Sequence, residues 1–438
     1  MTSVLAVDLG SSSVRARVFD ERGEPVDELR QAAYGGDDPH EIVRLVREVV
    51  AGRDERTDAV GVSSFGHSLV ALDASGRPLT PVLGWRDIRA AGAAAELRRR
   101  TDADAAFART GQHLHPAFWP AKLLWLAETE PETFGAAARF VSAADVVYAE
   151  LTGAEPVESV SLASSTGLLD IHRTAWDAEL LELVGVGEER LPRVGDEAGG
   201  RWFPALFDGA CSNLGAGCTG RARAALMVGT SAALRVLYET DAPDPKPGLF
   251  LYRLDGRRVV EGGALSDGGN LYAWLGTTLV PGGDPPRPDH GLTFVPFLGG
   301  ERSTGWDATA TGTIAGLTFA ATPADIRRAA LEGVAFRIAA IAERMPGLEE
   351  VVATGSGLLR DPAWIQVMAD ALARPVTASG VEEASLRGAA VAALQRLGYE
   401  PVDAPLGETY APHEERVDAY RSARERQERL IEVMRGDD

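Results

Sequence analysis

The sequence predicts an α/β protein made of two related domains facing one cleft, and three observations carry that reading. At 438 residues the chain exceeds the size at which a single hydrophobic core stops growing, so two domains of about 200 residues each are expected. Its opening segment reads β, β, β, α, β in order. A weaker copy of that series begins near Arg223, which puts the boundary close to Gly220 and divides the chain into residues 1–220 and 221–438.

Each element has a local reason. Residues 4–7 and 14–19 are apolar strand segments separated by a Gly and Ser turn, and a turn at residues 21–25 leads to a third extended piece. The helix that follows is well marked: Asp38 can cap it, Pro39 suits its first position and Glu41 lies three residues after the cap. Ile42, Leu45, Val46 and Val49 give it one apolar face. A strand at 59–63 completes the series. In the second half LMVGTS and ALRVLY form a hairpin, and RRVVEGGALSDGG gives a further strand and a Gly-rich turn. Helices at 323–341 and 362–372 then flank a strand at 351–353. Residues 281–289 are rich in Gly and Pro and predict a loop. A charged amphipathic helix ends the chain, with Val417, Tyr420, Leu430 and Val433 as its docking positions.

Composition narrows the partners. With 44 basic against 64 acidic side chains the net charge is −20, which disfavours nucleic acid and anionic membranes and favours small molecules. No leader pattern occurs and no apolar run approaches the roughly 20 residues that cross a bilayer, so a soluble, cytoplasmic protein is expected. A homodimer is left open. Cys211 and Cys218, the only cysteines, lack a zinc pattern and are expected to be small buried thiols. Lys122 and Lys246 are the only lysines, and Lys122 is expected to anchor its helix by a surface contact.

The richest segment is FDGACSNLGAGC, residues 207–218, which sets one carboxylate, Asp208, in a run of small residues that leaves room for a ligand. Asp208 is the candidate catalytic residue. Near the N-terminus, a strand ending in Asp8 enters a turn whose Gly10, Ser11, Ser12 and Ser13 can aim N–H groups and hydroxyls at an anion. Asp8 would then face a divalent ion through water. A plain hairpin with a capped Asp is the competing reading. Gly229, Thr230 and Ser231 repeat the pattern, so two turns can grip a phosphate chain from both sides; Arg15 and Arg235 follow them, as phosphate ligands or as outward strand charges. Gly268 with Gly269, and Gly355 with Gly357, are turns open enough for close backbone approach to a base or ribose.

Six motifs in order give a resemblance. DLGSSSVRARVFD, GWRDIRA, DGACSNLG, GTSAALR, GSGLLRDPAWIQVMADALARPV and EEASLRGAAVAAL together resemble an FGGY-type carbohydrate kinase over almost the whole chain. The resemblance implies two ribonuclease H-like domains of the actin, sugar kinase and Hsp70 superfamily. It implies phosphoryl transfer from ATP with Mg2+ to a sugar or polyol hydroxyl, with Asp208 as general base and Asp8 and Asp208 toward the metal. His67, Trp85 and Asp87 become candidate sugar contacts, as do Phe118 and Trp119 in HPAFWPAK. The sugar segment and the form DGACSNLG look most like the gluconate kinase branch, where Arg86, Arg89 or His67 could meet a substrate carboxylate. Three departures stand out: a chain shorter than many members, GSG in the first adenosine turn, and Ala232 where gluconate kinases often have Gly. A xylulose- or ribulose-type kinase is the alternative within the family, and an actin- or Hsp70-like ATPase switch or an inactive sugar-binding module the alternatives outside it.

Overall fold

The computed structural model describes residues 2–155, 157–197, 200–279, 287 and 289–436. Most of the loop expected at 281–289 therefore lies outside the described residues. The N-terminal sheet runs in the order Leu206–Phe207, Ala59–Ser64, Ser3–Leu9, Ser13–Asp20, Arg30–Ala33. The first three of these strands are mutually parallel and the last two antiparallel. The expected β, β, β, α, β order is present, and Asp38 accepts from the N–H of His40 at 2.9 Å to start the helix Pro39–Val50.

A second sheet repeats the arrangement. Five of its seven strands run Arg258–Leu265, Ala232–Glu239, Gly220–Val228, Glu350–Thr354, Val376–Ser379, with the same alternation of antiparallel and parallel neighbours. The repeat that was faint in the letters is thus plain in topology, because pairing depends on apolar alternation and turn position more than on residue identity. The helices Pro323–Ala342 and Pro362–Leu372 fall where expected, the second capped by Asp361.

Two helices tie the halves together. Asp208–Gly215 and Ala384–Arg396 cross at close range, and Ala384–Arg396, although late in the chain, packs on the strands Ser3–Leu9 and Ala59–Ser64. A Cβ on Gly388 would overlap the carbonyl of Cys211, and one on Gly215 would overlap the carbonyl of Ala384. This corrects the reading of the small residues after Asp208: they make room for a helix, whereas the ligand space lies beyond the other end, at Asp208 itself.

The last helix, Glu414–Arg435, docks through Tyr420, Gln427 and Ile431, while Val433 is 64% exposed. At about 100° per residue Val433 sits far around the helix from Ile431, so it cannot share that stripe. Both cysteines are buried and free. Among the described residues no helix is long and apolar enough to cross a membrane.

Candidate functional site

Both sheets direct their chemistry to the carboxyl ends of parallel strands, the end at which open α/β sheets gather ligands. From the N-terminal sheet come Asp8, near the end of Ser3–Leu9; Phe65 to His67, which follow Ala59–Ser64; and Asp208, which follows Leu206–Phe207. The second sheet supplies Gly229 to Ser231 after Gly220–Val228, and Gly355 after Glu350–Thr354.

One cavity joins the two sets. It holds about 60 Å³ and is lined by His67, Trp85, Asp208, Ser231, Arg235, Tyr252 and Arg302 among others. Phe65 and Trp85 also line a neighbouring cavity of about 600 Å³ that reaches Ser11, Ser12, Arg86, Asp87 and Arg89. The two are parts of one cleft.

Asp208 is the first residue of its helix, directly after the N-cap residue Phe207. Burial pushes its carboxyl up to about 6, against the pull of Arg235; the negative charge of Asp8 adds to the rise. Asp8 is buried, and its Oδ1 has no hydrogen-bond partner while Oδ2 accepts from Arg15 at 3.3 Å. Burial raises Asp8 as well, with the neighbouring Ser63 hydroxyl and then Arg15 opposing it.

The two phosphate-type turns have matching internal bonds. Gly10 donates to the carbonyl of Ser13 and Gly229 to that of Ser231, each at 3.0 Å. Those two N–H groups are therefore spent inside their turns, while Ser11 and Ser12, both exposed, line the larger cavity and Ser231 lines the smaller, next to the exposed Thr230. Arg15 is committed too: it bridges Asp8 and, at 3.1 Å, Glu383 from the other half of the molecule. Both contacts use Nη1, so Arg15 links the two halves while its Nε keeps no partner among the described residues. Gly268 and Gly269 pack directly on the second turn, Gly269 donating to the carbonyl of Gly229 at 2.9 Å. Gly355, at φ 84°, leaves no room for a Cβ beside the carbonyl of Val228, and Gly357 lies against the same carbonyl. All four glycines thus meet beside the second turn. Asp267, which the sequence reading missed, sits buried beside them with its carboxyl raised by burial to about 6. Only its place before Gly268 could have pointed to it.

The sugar candidates separate. His67 and Trp85 line the Asp208 cavity, and Asp87 the adjoining one. Asp87 is held by Arg89 at 2.6 Å. His67 bonds the carbonyl of Ser165 through Nδ1, and burial together with the positive charge of Arg302 holds its pKa well below the ordinary range, so it is a neutral ring whose Nε2 can accept. Phe118 stands behind it, 1% exposed, its ring edge-on to the imidazole at 4.8 Å. Trp119 is a correction. It is fully buried, stacked on Trp176 at 6.2 Å with Nε1 donating to the carbonyl of Ser68, and helical geometry turns it from the cavity that Phe118 supports.

Lys122 is a second correction. It is 1% exposed and its ammonium donates to the carbonyls of His67 and Leu83, at 2.5 and 2.9 Å. Burial pushes it down to about 7, with Asp87 opposing. It ties the two loops that carry His67 and Trp85. Lys122→Met is expected to leave both carbonyls without a donor, costing about 1–3 kcal/mol for each. Steady-state kinetics should then show a raised KM for the sugar with KM for MgATP unchanged.

Arg235 and Arg302 were underrated by sequence. Arg235 alternates with Leu234 along its strand, so it points to the cleft and Leu234 to the core. Both arginines are under a tenth exposed, and neither side chain has a hydrogen-bond or ion-pair partner among the described residues.

Comparison with known proteins agrees with this geometry. The model of the FGGY family of carbohydrate kinases, N-terminal domain, matches residues 3–199, and that of the C-terminal domain matches residues 224–396. The gluconokinase of Bacillus subtilis is 28% identical, covering 96% of this chain and 94% of the relative. The glycerol kinase of Thermus brockianus is 31% identical, with 89% of each covered. Among solved structures, a ligand-bound xylulose kinase from Lactobacillus acidophilus aligns at TM-score 0.90 with 24% identity, covering 100% of this chain and 99% of that one. A gluconate kinase from the same organism aligns at 0.89, also at 24% identity, with 99% and 98% covered. The paired sheets, the carboxylate at the cleft and the match of both family models along the chain lead to one conclusion: this protein belongs to the FGGY family of carbohydrate kinases.

Proposed function

We propose that the protein transfers the γ-phosphoryl group of ATP to a hydroxyl of a sugar acid, with gluconate as the substrate. The observation that carries the reading is that Asp208 and Ser231, from opposite halves, line the same cavity as His67 and Trp85. A carboxylate, a phosphate-type turn and sugar-facing rings thus share one space. Asp208 orients the acceptor hydroxyl and takes its proton as the new bond forms, a role that a carboxyl near pKa 6 performs at neutral pH because it is ionised there. The hydroxyls of Ser11, Ser12 and Thr230 receive the phosphate chain, and Gly268, Gly269, Gly355 and Gly357 allow the nucleotide to lie against backbone.

Asp8, with an unpartnered buried oxygen, and Asp208 suit a hydrated Mg2+. Such an ion keeps several waters and binds through one or two carboxylates plus phosphate. When bound it would neutralise charge on the phosphate oxygens. Similarity to gluconokinases over 96% of the chain supports gluconate.

The test is ADP release from MgATP with gluconate, xylulose, ribulose and glycerol in parallel. Turnover is expected with gluconate. Turnover with a ketopentose alone would move the protein to the pentulose branch, and none with any acceptor would favour an ATPase switch or a binding module.

A further inference from the structure

We propose that Arg302 is the specificity residue that binds the carboxylate of the sugar-acid substrate. This rests on the kinase reading above and adds the feature that would separate acids from neutral polyols.

An arginine that is 8% exposed carries a charge that must be met by something. Here it is met only at a distance, by the charge of Asp208 and by the rings of Trp85 and Trp306: among the described residues no acceptor bonds the Arg302 guanidinium, and its Nε is buried without a partner. The adjacent acid cannot serve. Glu301 is taken by Arg337 at 3.3 Å, by Arg435 and by the N–H of Gly305 at 3.0 Å. That buried network, with Arg337 also donating to Thr304 at 2.9 Å, fixes the loop and leaves Arg302 over.

The backbone of Arg302 is held as firmly. Its carbonyl accepts from Trp306 at 2.6 Å, and Ser303 exchanges two bonds with Ala264 on the cleft-lining strand, at 2.9 and 3.1 Å. The guanidinium is thereby presented to the cavity of Asp208, His67 and Trp85, its carbon 5.5 Å from the Trp85 ring centroid. A planar fork with no protein acceptor suits a carboxylate through two parallel bonds.

The other cations of the cleft have different positions. Arg235 lies beside Gly209, whose Cβ position is 3.1 Å from its Nε, so it sits at the Asp208 end where phosphoryl transfer would occur. Arg89 is bound to Asp87, Arg86 is exposed and stacked on Trp85 at 5.3 Å, and His67 is neutral. The sequence had offered those last three for the carboxylate. The fold replaces them with Arg302.

The experiment compares gluconate with D-gluconamide, which keeps every hydroxyl and removes the charge, in wild type, Arg302→Gln and Arg302→Lys. Affinity is measured by calorimetry without nucleotide and by KM with MgATP. Arg302→Gln is expected to weaken gluconate by about tenfold to a hundredfold, to bring the gluconate and gluconamide affinities together, and to move KM for MgATP by less than about twofold. Arg302→Lys should recover part of the preference for the acid. Equal weakening of acid and amide in both variants would overturn the assignment while leaving gluconate phosphorylation in place. A rise in KM for MgATP alone would overturn it in favour of a phosphate ligand. Failure of wild type to use gluconate, with turnover of a neutral ketose, would instead remove the reading on which the proposal rests.

Discussion

Asp208→Asn is expected to lower kcat for phosphorylation of the acceptor by about 10²–10⁴-fold and to leave the folded protein at least as stable at neutral pH. The first half follows because an amide cannot accept the hydroxyl proton, while binding of sugar and nucleotide relies on other groups. KM values should change far less than kcat. The second half comes from linkage. Burial raises the Asp208 carboxyl from 3.8 to about 6, so between those values the folded state holds a proton that the unfolded chain has released. Ionised Asp208 therefore weakens folding above about pH 6, and that penalty fades as pH falls through 6. The amide never carries it. Melting temperatures measured at neutral pH test this, and a variant that melts well below wild type would mean that Asp208 is structural. Activity follows the opposite course: kcat/KM of the wild type should decline below about pH 6 as the base is protonated.

Gly388→Val is the other substitution with a large expected effect, and it acts on the fold. The helices Asp208–Gly215 and Ala384–Arg396 approach so closely that a side chain at Gly388 would overlap the Cys211 carbonyl, a backbone atom that cannot rotate away. Overpacking a core costs about 1–3 kcal/mol where side chains can adjust, and more where they cannot. Because Asp208 begins one of these helices, separating them would also shift the carboxylate relative to the cleft. The expected result is a lower melting temperature together with lost activity. Wild-type stability in Gly388→Val would show that the crossing is looser than its geometry implies.

The contrast between Asp208 and Arg302 shows what kinds of information a sequence holds. Asp208 was legible because its motif is local: a short apolar strand, an acid and a run of small residues. The glycine turns were legible for the same reason, since each needs only a few neighbouring residues to take its shape. Arg302 was not. The role proposed for it rests on its having no hydrogen-bond or ion-pair partner among the described residues, and that is seen only once Glu301 is found shared by Arg337 and Arg435 from two distant helices. Lys122 was misread for a related reason. A lysine on an apolar helix normally reaches solvent, and only the two carbonyls from separate loops explain its burial.

By itself the sequence determined the element order, the capping of the helices, the duplication of the sheet and the turns offered as candidate sites, because these depend on periodicity and on residues close in the chain. The tertiary structure alone decided which candidates face the cleft. It paired Arg15 with Glu383 across the two halves, sent Trp119 into the core, spent the N–H groups of Gly10 and Gly229 inside their turns and left Arg235 and Arg302 without hydrogen-bond partners among the described residues. Each of those outcomes depends on charge and hydrogen-bond satisfaction between residues far apart in the chain, and no local pattern encodes which distant acceptor a buried donor will meet.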